Sequence, residues 1–330
     1  MSRYARQDIL PQVGPAGQAA IRAADVLVVG AGGLAAPALQ YLVGAGIGHL
    51  TLVDPDVVSL SNLHRQTLFR QTDIGQPKVK AAAARLKDLN ADCRIEVRHT
   101  ALDPTNAKAL VAPCTLVLDC VDSFAASYIL SDTCLAAGVP LISASALGVS
   151  GYVGGFCGTA PSLRAVFPDL PDRAASCATA GVMGPVVGLI GAVQAQMALA
   201  VLTGQVPSPL GQMMCFDMGT FRSSDFRFDT APEPTADFRF IAPASISPAD
   251  LVIDLRDVLE APAAVSPDAL RLTVTQSAHY PVPDRGQRVV FACRSGLRAW
   301  QAATHLRSLW TGQISLIAVG DATPIERYIS

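Results

Sequence analysis

Charge is scarce in this 330-residue chain: 16% of the residues are Asp, Glu, Lys or Arg, and 27 acids nearly cancel 25 bases. A net charge of −2 excludes a generally basic nucleic-acid binder. An apolar fraction of 50% with so little net charge excludes a disordered chain and supports a sizeable core. No two of the eight cysteines (93, 114, 120, 134, 157, 177, 215 and 293) form a C-x-x-C, which leaves no thiolate zinc pair and no dithiol redox motif. Met1 is followed at once by Ser2-Arg3-Tyr4-Ala5-Arg6, with no charged, apolar, small-residue leader. The expected compartment is the reducing cytoplasm, with most cysteines acting as small buried hydrophobes. There is no internal repeat and no low-complexity tract. Lysine occurs only at 78, 80, 87 and 108, so a lysine at a helix start is not one of many.

Two stretches, 26–48 and 181–205, run more than 20 residues without a charge and imitate membrane spans. The first is punctuated by six glycines and Pro37, which read as strand, turn and helix. The second opens on Gly181 and Gly184-Pro185 and carries Gln194 and Gln196. Neither has the Lys/Arg flank that orients a span. Both are read as buried elements of a fold that engages no membrane.

Strand-like and helix-like segments alternate from 25 to about 146: strands at 25–29, 48–53, 93–97, 115–118 and 139–144, and helices at 33–45, 77–89 and 124–137. This pattern predicts an α/β fold with a doubly wound, Rossmann-like, mostly parallel sheet. A switch to antiparallel strands follows at 148–156, then a loop at 157–184, a long apolar helix at 185–202, and strands at 213–217 and 221–228. Asp229-Thr-Ala-Pro-Glu-Pro-Thr-Ala-Asp237 reads as a linker. The expected organisation is a first domain over 1–230, a linker over 231–245 and a smaller α/β domain over 246–330. In the smaller domain, strands are expected at 251–255, 289–292 and 315–319 and a helix at 297–309.

Val28-Val29-Gly30-Ala31-Gly32-Gly33-Leu34-Ala35 follows a strand and opens a helix. Gly30, Gly32 and Gly33 permit a tight turn whose N–H groups meet a phosphate at the helix N-terminus. Asp54, 24 residues after Gly30, ends the next strand where a carboxylate meets a ribose hydroxyl. This much also suits an NAD-dependent oxidoreductase. Ser59-Leu60-Ser61-Asn62-Leu63-His64-Arg65-Gln66, then Gly75-Gln76-Pro77-Lys78, then Asp119-Cys120-Val121-Asp122-Ser123 point elsewhere. Hydride transfer needs none of these charges. A nucleotidyl group passing through a strongly anionic centre needs cations, and Arg65 and Lys78 are the candidates. Asp122 is the candidate for holding Mg²⁺ against the phosphates. The same charges speak against a nucleotide-binding scaffold without catalysis.

Together with Arg3-Tyr4-Ala5-Arg6-Gln7 and Cys177-Ala178-Thr179-Ala180-Gly181-Val182, these motifs resemble, in order and spacing over about 3–228, the ubiquitin-activating-enzyme-like adenylyltransferases. Those enzymes serve sulfur-carrier proteins in molybdopterin and thiamine biosynthesis. The resemblance implies ATP as cofactor. It places Gly33, Asp54, Ser61, Asn62, Arg65, Lys78 and Asp122 at the nucleotide, and Gly30, Gly32, Leu63, His64 and Ser123 of the same motifs complete the expected cofactor-binding set. It also implies a homodimer in which Arg6 reaches the partner subunit's ATP. The implied substrate is a ubiquitin-like sulfur-carrier protein ending in Gly-Gly. Its carboxylate attacks the α-phosphate to give an acyl-adenylate and pyrophosphate. Two departures stand out. The family usually holds a structural zinc in two C-x-x-C pairs, but Ser162 and Ala165 occupy the first pair's positions and 230–234 contains no cysteine, so zinc is expected to be absent. The third glycine of the turn is Ala35.

In the second domain, Val289-Val290-Phe291-Ala292-Cys293-Arg294-Ser295-Gly296-Leu297-Arg298 reads as strand, turn and helix start. Backbone donors, a helix N-terminus and two arginines there favour a thiolate. The loop resembles the active loop of rhodanese sulfurtransferases, and Val252-Ile253-Asp254-Leu255-Arg256 resembles their opening strand. No Gly-His-Ile-Pro-Gly turn follows, and 257–285 is short for that family. The resemblance implies that Cys293 carries a persulfide supplied by a donor such as a cysteine desulfurase. Cys177 is the second candidate catalytic thiol, placed to take the acyl group or to resolve an acyl-disulfide with Cys293.

Overall fold

The computed structural model describes residues 3–170, 181–234 and 238–320. It divides into two compact units, each with its own sheet.

The larger unit is built on eight strands: β1 (Asp25–Val29), β2 (His49–Val53), β3 (Arg94–Arg98), β4 (Leu116–Asp119), β5 (Pro140–Leu147), β6 (Ser150–Cys157), β7 (Gln212–Asp217) and β8 (Arg222–Arg227). Their spatial order is β3-β2-β1-β4-β5-β6-β7-β8. The first five run parallel and the last three pairings are antiparallel. The four residues of β4 are all buried, as the centre of a sheet covered on both faces requires. The chain reverses its direction of winding between β1 and β4, and the crevice at the carboxyl ends of these two strands is where open α/β sheets bind ligands. The structure extends β5 to Leu147, beyond the expected 139–144, because β5 and β6 form a hairpin that keeps pairing down to Leu147 opposite Ser150. It starts β8 at Arg222 because Phe221 takes a left-handed conformation, φ 55°, that a ladder does not accept.

Helices α1 (Ala5–Asp8), α2 (Gly14–Ala23), α3 (Ala35–Ala45), α4 (Lys78–Leu89), α5 (Ala107–Val111), α6 (Phe124–Ala137), α7 (Leu163–Val166) and α8 (Gly184–Leu202) complete the first eight in chain order. The sequence reading did not contain α2. Its Gly-Pro start and small residues give no long apolar stripe, and it buries only Gly17, Gln18 and Ile21. Helix α8 is the one described helix long and apolar enough to cross a membrane, and half of its most apolar window is buried in the protein. Val186, Val187, Ile190, Ala195, Met197 and Ala198 lie in the main core. Fully buried Gln194 explains the polar residue in that run. Its Nε2 donates to the carbonyls of Asp119 (2.8 Å) and Ile142 (3.0 Å), and its Oε1 accepts from Cys120 Sγ at 3.2 Å. One amide thereby satisfies groups on β4, on β5 and in the loop after β4.

The smaller unit carries β9 (Arg239–Phe240), β10 (Leu251–Asp254), β11 (Leu270–Arg271), β12 (Val289–Cys293) and β13 (Ile314–Ala318), with α9 (Leu297–Arg307). Its order is β11-β10-β12-β13-β9, parallel throughout. The segment 231–245, expected as linker, is corrected in part: Arg239–Phe240 form a strand beside Ser315 and Leu316 of β13. Two residues just past the Pro- and acid-rich stretch carry no readable strand pattern; the open edge of β13 recruits them.

Helix α8 crosses α3 at Gly191, where a Cβ would overlap the carbonyl oxygen of Leu34. Backbone cannot swing aside, so Gly191→Ala is expected to destabilise the fold by about 1–3 kcal/mol. Gly188, three residues earlier on the same helix, has nothing within 4 Å of the Cβ position. Gly188→Ala should be neutral or stabilising by up to about 1 kcal/mol. Thermal unfolding of the two variants side by side checks both.

Candidate active site

The turn after β1 is built against the turn after β4. Gly30 has φ 94°, and a Cβ on it would lie 2.6 Å from the carbonyl oxygen of Cys120; only glycine meets both conditions. Its N–H donates to Val53 O, and Cys120 N–H to Val29 O. The next N–H, of Ala31, donates to Asp54 Oδ2 at 2.7 Å. The N–H groups of Gly32 and Gly33 have no acceptor among the described residues. Unpaired N–H groups at the start of α3 form a ready anion site.

Asp54 is 6% exposed. Its Oδ1 accepts from Asp56 N–H at 2.8 Å. Burial pushes its carboxyl above the usual range, while the nearby Lys78 ammonium and the two backbone donors pull the other way. Lys78 opens α4 and is itself buried, with its Nζ 2.7 Å from Asp56 Oδ2. Arg65 follows the 3₁₀ turn Leu60–Asn62. Its backbone and Cγ pack on Gly33, at 3.3 and 3.5 Å from the Cβ position. Its guanidinium donates to Ser61 O (3.2 Å) and to His64 Nε2 (2.8 Å). Asn62 O accepts from the N–H groups of Arg65 and Gln66, Ser61 Oγ lies 3.1 Å from Ser59 Oγ, and Leu63 packs against the core. Asp122 stands two residues past Cys120, exposed and with no hydrogen bond or ion pair among the described residues. Buried Asp119, by contrast, is engaged by Ser143 Oγ at 2.8 Å and Val121 N–H.

Contacts thus link Gly30 to Cys120, Ala31 to Asp54 and Gly33 to Arg65, and bring Lys78 beside Asp54. Exposed Arg6 on α1 has no contact with this group in one chain. Ser123 directly follows Asp122, Cys177 lies outside the described residues, and Cys293 belongs to the smaller unit. The sequence reading missed Asp56, Asp119 and Gln66. Gln66 is 4% exposed, lies against Gly32, and leaves its Oε1 without a partner. The two aspartates were visible as one end of Asp54-Pro55-Asp56 and of Asp119-Cys120-Val121-Asp122.

The sequence reading raises two cations. For Mg²⁺ the residues fit: Asp122 is an exposed carboxylate with no hydrogen bond or ion pair among the described residues, the oxygen donor that cation takes. For zinc they do not. Ser162, fully buried, donates its N–H to Glu233 Oε1 and its hydroxyl to Oε2, both at 2.6 Å. The same hydroxyl caps α7 by accepting from Arg164 and Ala165 N–H. One carboxylate ties the two chain segments where two cysteine pairs would have been needed. No group of three or more metal-ligating side chains occurs among the described residues.

In the smaller unit, Cys293 ends β12 and is fully buried. Its Sγ accepts from Gly296 N–H at 3.1 Å and Ala299 N–H at 3.4 Å. Arg298 donates to Leu255 O and pairs with Glu260; Arg256 pairs with Asp254 through both nitrogens. Burial pushes the thiols of Cys93, Cys114 and Cys157 up, to about 11, 12 and 12, and raises Cys120, Cys134 and Cys215 as well. A raised pKa keeps these six thiols protonated, the less reactive form.

The chain matches the ThiF family over residues 4–237. It belongs to that family. It is 37% identical over 237 residues to the SAMP-activating enzyme E1 of Haloferax volcanii, covering 71% of this chain and 86% of that one. It is 45% identical over 225 residues to the adenylyltransferase and sulfurtransferase MOCS3 of Bos taurus, covering 67% of this chain and 50% of that one. The chain spans about half the length of the MOCS3 relatives it matches. Among solved structures, E. coli MccB with ATP superposes with a TM-score of 0.62 at 18% identity, over 72% of this chain and 74% of that one. PaaA superposes with a TM-score of 0.59 at 23% identity, over 68% and 72%. These two likenesses show the fold.

Replacing Glu233 by Ala strands two donors of a buried serine, a loss of about 1–3 kcal/mol. A fall in the thermal midpoint of a few degrees is expected. Metal analysis of the purified protein should find far less than one zinc per chain.

Proposed function

We propose that this chain of the ThiF family is an ATP-dependent adenylyltransferase. Its substrate is the C-terminal glycine of a ubiquitin-like sulfur-carrier protein with a Gly-Gly end, and its smaller unit is a rhodanese-like domain that delivers sulfur. The observation that carries the reading is the crevice between β1 and β4. It gathers unpaired N–H groups at Gly32 and Gly33, a buried carboxylate at Asp54, and cations at Arg65 and Lys78. Asp122 stands just beyond the β4 turn. An NAD-dependent oxidoreductase has no use for those two cations.

In the reaction, a carboxylate oxygen of the terminal glycine attacks the α-phosphorus of ATP. The bond to the bridging oxygen breaks, pyrophosphate leaves with its electron pair, and an acyl-adenylate forms. Arg65 and Lys78 neutralise charge on the non-bridging oxygens. Asp54 holds the ribose, and Asp122 would hold Mg²⁺, which when bound would supply positive charge at the phosphates. Arg6 serves the ATP of the partner subunit in a homodimer. The terminal sulfur of a Cys293 persulfide, supplied by a donor such as a cysteine desulfurase, attacks the activated carbonyl, and AMP leaves to give an acyl-disulfide. The Cys177 thiolate then attacks the Cys293 sulfur: the S–S bond to the acyl sulfur breaks, the thiocarboxylate leaves, and a Cys177–Cys293 disulfide forms that an external dithiol reduces. The relatives' names, SAMP-activating enzyme E1 and adenylyltransferase and sulfurtransferase, support adenylation and sulfur transfer. The proposal sets this chemistry in the cytoplasm, on a pathway such as molybdopterin or thiamine synthesis.

Carrier-dependent ATP–pyrophosphate exchange tests the first half. Lys78→Ala and Asp122→Ala should each reduce it about 10²–10³-fold; exchange near wild type in both would sink the assignment. Cys293→Ala should abolish persulfide loading and leave exchange almost intact, because the thiol lies outside the adenylation unit.

A further inference from the structure

Lys78 is a buried cation before any nucleotide arrives: its side chain is 6% exposed. An ammonium in that position, unpaired, either loses its proton or swings out to water. Two carboxylates face it. Asp54 is the nearer to the core, and each of its oxygens accepts one backbone N–H, from Ala31 and Asp56. The hydrogen bond goes to Asp56, whose side chain is 63% exposed and whose Oδ2 sits 2.7 Å from Nζ.

The backbone sets this pairing. After β2 the chain runs antiparallel to the segment leading into α4. Val57 bridges Pro77, Val58 N–H donates to Gln76 O, Gly75 N–H to Val58 O, and Lys78 N–H to Asp56 O at 2.9 Å. Asp56 and Lys78 are therefore opposite one another on a short ladder, joined by main chain and side chain alike. A carboxylate on the ladder's outer side and an ammonium on its inner side form a pair that straddles the rim of the crevice.

We propose that Asp56 is a positioning residue. It holds the Lys78 ammonium, charged and pointed at the rim of the crevice, until polyphosphate takes its place. An exposed single carboxylate is a weak partner, and a triphosphate carries several negative charges, so the exchange runs toward nucleotide. Lysine has four rotatable side-chain bonds, and the hold removes the search for a productive rotamer. The assignment of the crevice to ATP is the reading given above; the resting hold on Lys78 stands on geometry alone.

The test is lysine acylation of the full chain by an amine-reactive ester, with each of the four lysines quantified by peptide mass spectrometry. Asp56→Asn should raise the labelling rate of Lys78 about tenfold, equivalent to about 1.4 kcal/mol of lost hold on the ammonium. Lys80, Lys87 and Lys108 should label as in wild type, which also reports that the variant is folded. Asp56→Glu should restore slow labelling. In carrier-dependent exchange, Asp56→Asn should lower kcat about tenfold with the KM for ATP within about threefold. An unchanged Lys78 rate in Asp56→Asn overturns the proposal. A raised rate in a protein that shows no exchange with any carrier upholds the hold on Lys78 and overturns the adenylation reading instead.

Discussion

The close approach of the β1 and β4 turns is the constraint on which the site depends. Gly30 sits at φ 94°, and a Cβ on it would lie 2.6 Å from Cys120 O, so the backbones of the two turns pack directly on one another. Unpaired N–H groups come from one turn and the open carboxylate from the other. Asp54 then ties the first turn to β2 through Ala31 N–H, and Gln194 ties the root of the second to α8 and β5. The crevice is braced from three sides by groups that would themselves be unsatisfied without it. Such bracing lets a site bear charge without reorganising around it.

Electrostatics follow from scarcity of charge. The buried cations among the described residues each have a counterpart: Lys78 with Asp56 and Arg164 with Asp132 in the larger unit, and Arg256 with Asp254 in the smaller. Asp54 takes two backbone donors, and its desolvation shows as a raised carboxyl.

Much of the architecture was legible because it rests on long periodic segments. The alternation of Val/Leu runs with Ala-rich helices set the parallel core, and the glutamines of α8 marked it as internal to the fold. Short elements held by pairing were not legible. β9 is two residues recruited by a neighbouring edge, and α2 has little apolar stripe. In the site, the residue types were readable while their partners were not. Asp54-Pro55-Asp56 offers two carboxylates to any reader, but only the ladder between 56–58 and 75–78 decides that one faces the loop and the other the lysine. Likewise, missing cysteines at 162 and 165 argued against zinc, yet nothing in the sequence pointed to Glu233 as the residue that closes the gap.

The placement of β9 bears on how the chain can be divided. This strand precedes all others of the smaller unit in sequence but lies at the far edge of its sheet, alongside β13. A fragment begun at 246, where composition suggests the unit starts, would bare the edge of β13, four of whose five residues are buried. It would leave a row of unpaired N–H and C=O groups flanked by Ile314, Leu316 and Ile317. Bare apolar edges of that kind recruit other chains. Arg239–Phe240 are therefore the sheet's own guard strand, and an isolated smaller unit keeps its solubility only if these residues stay attached.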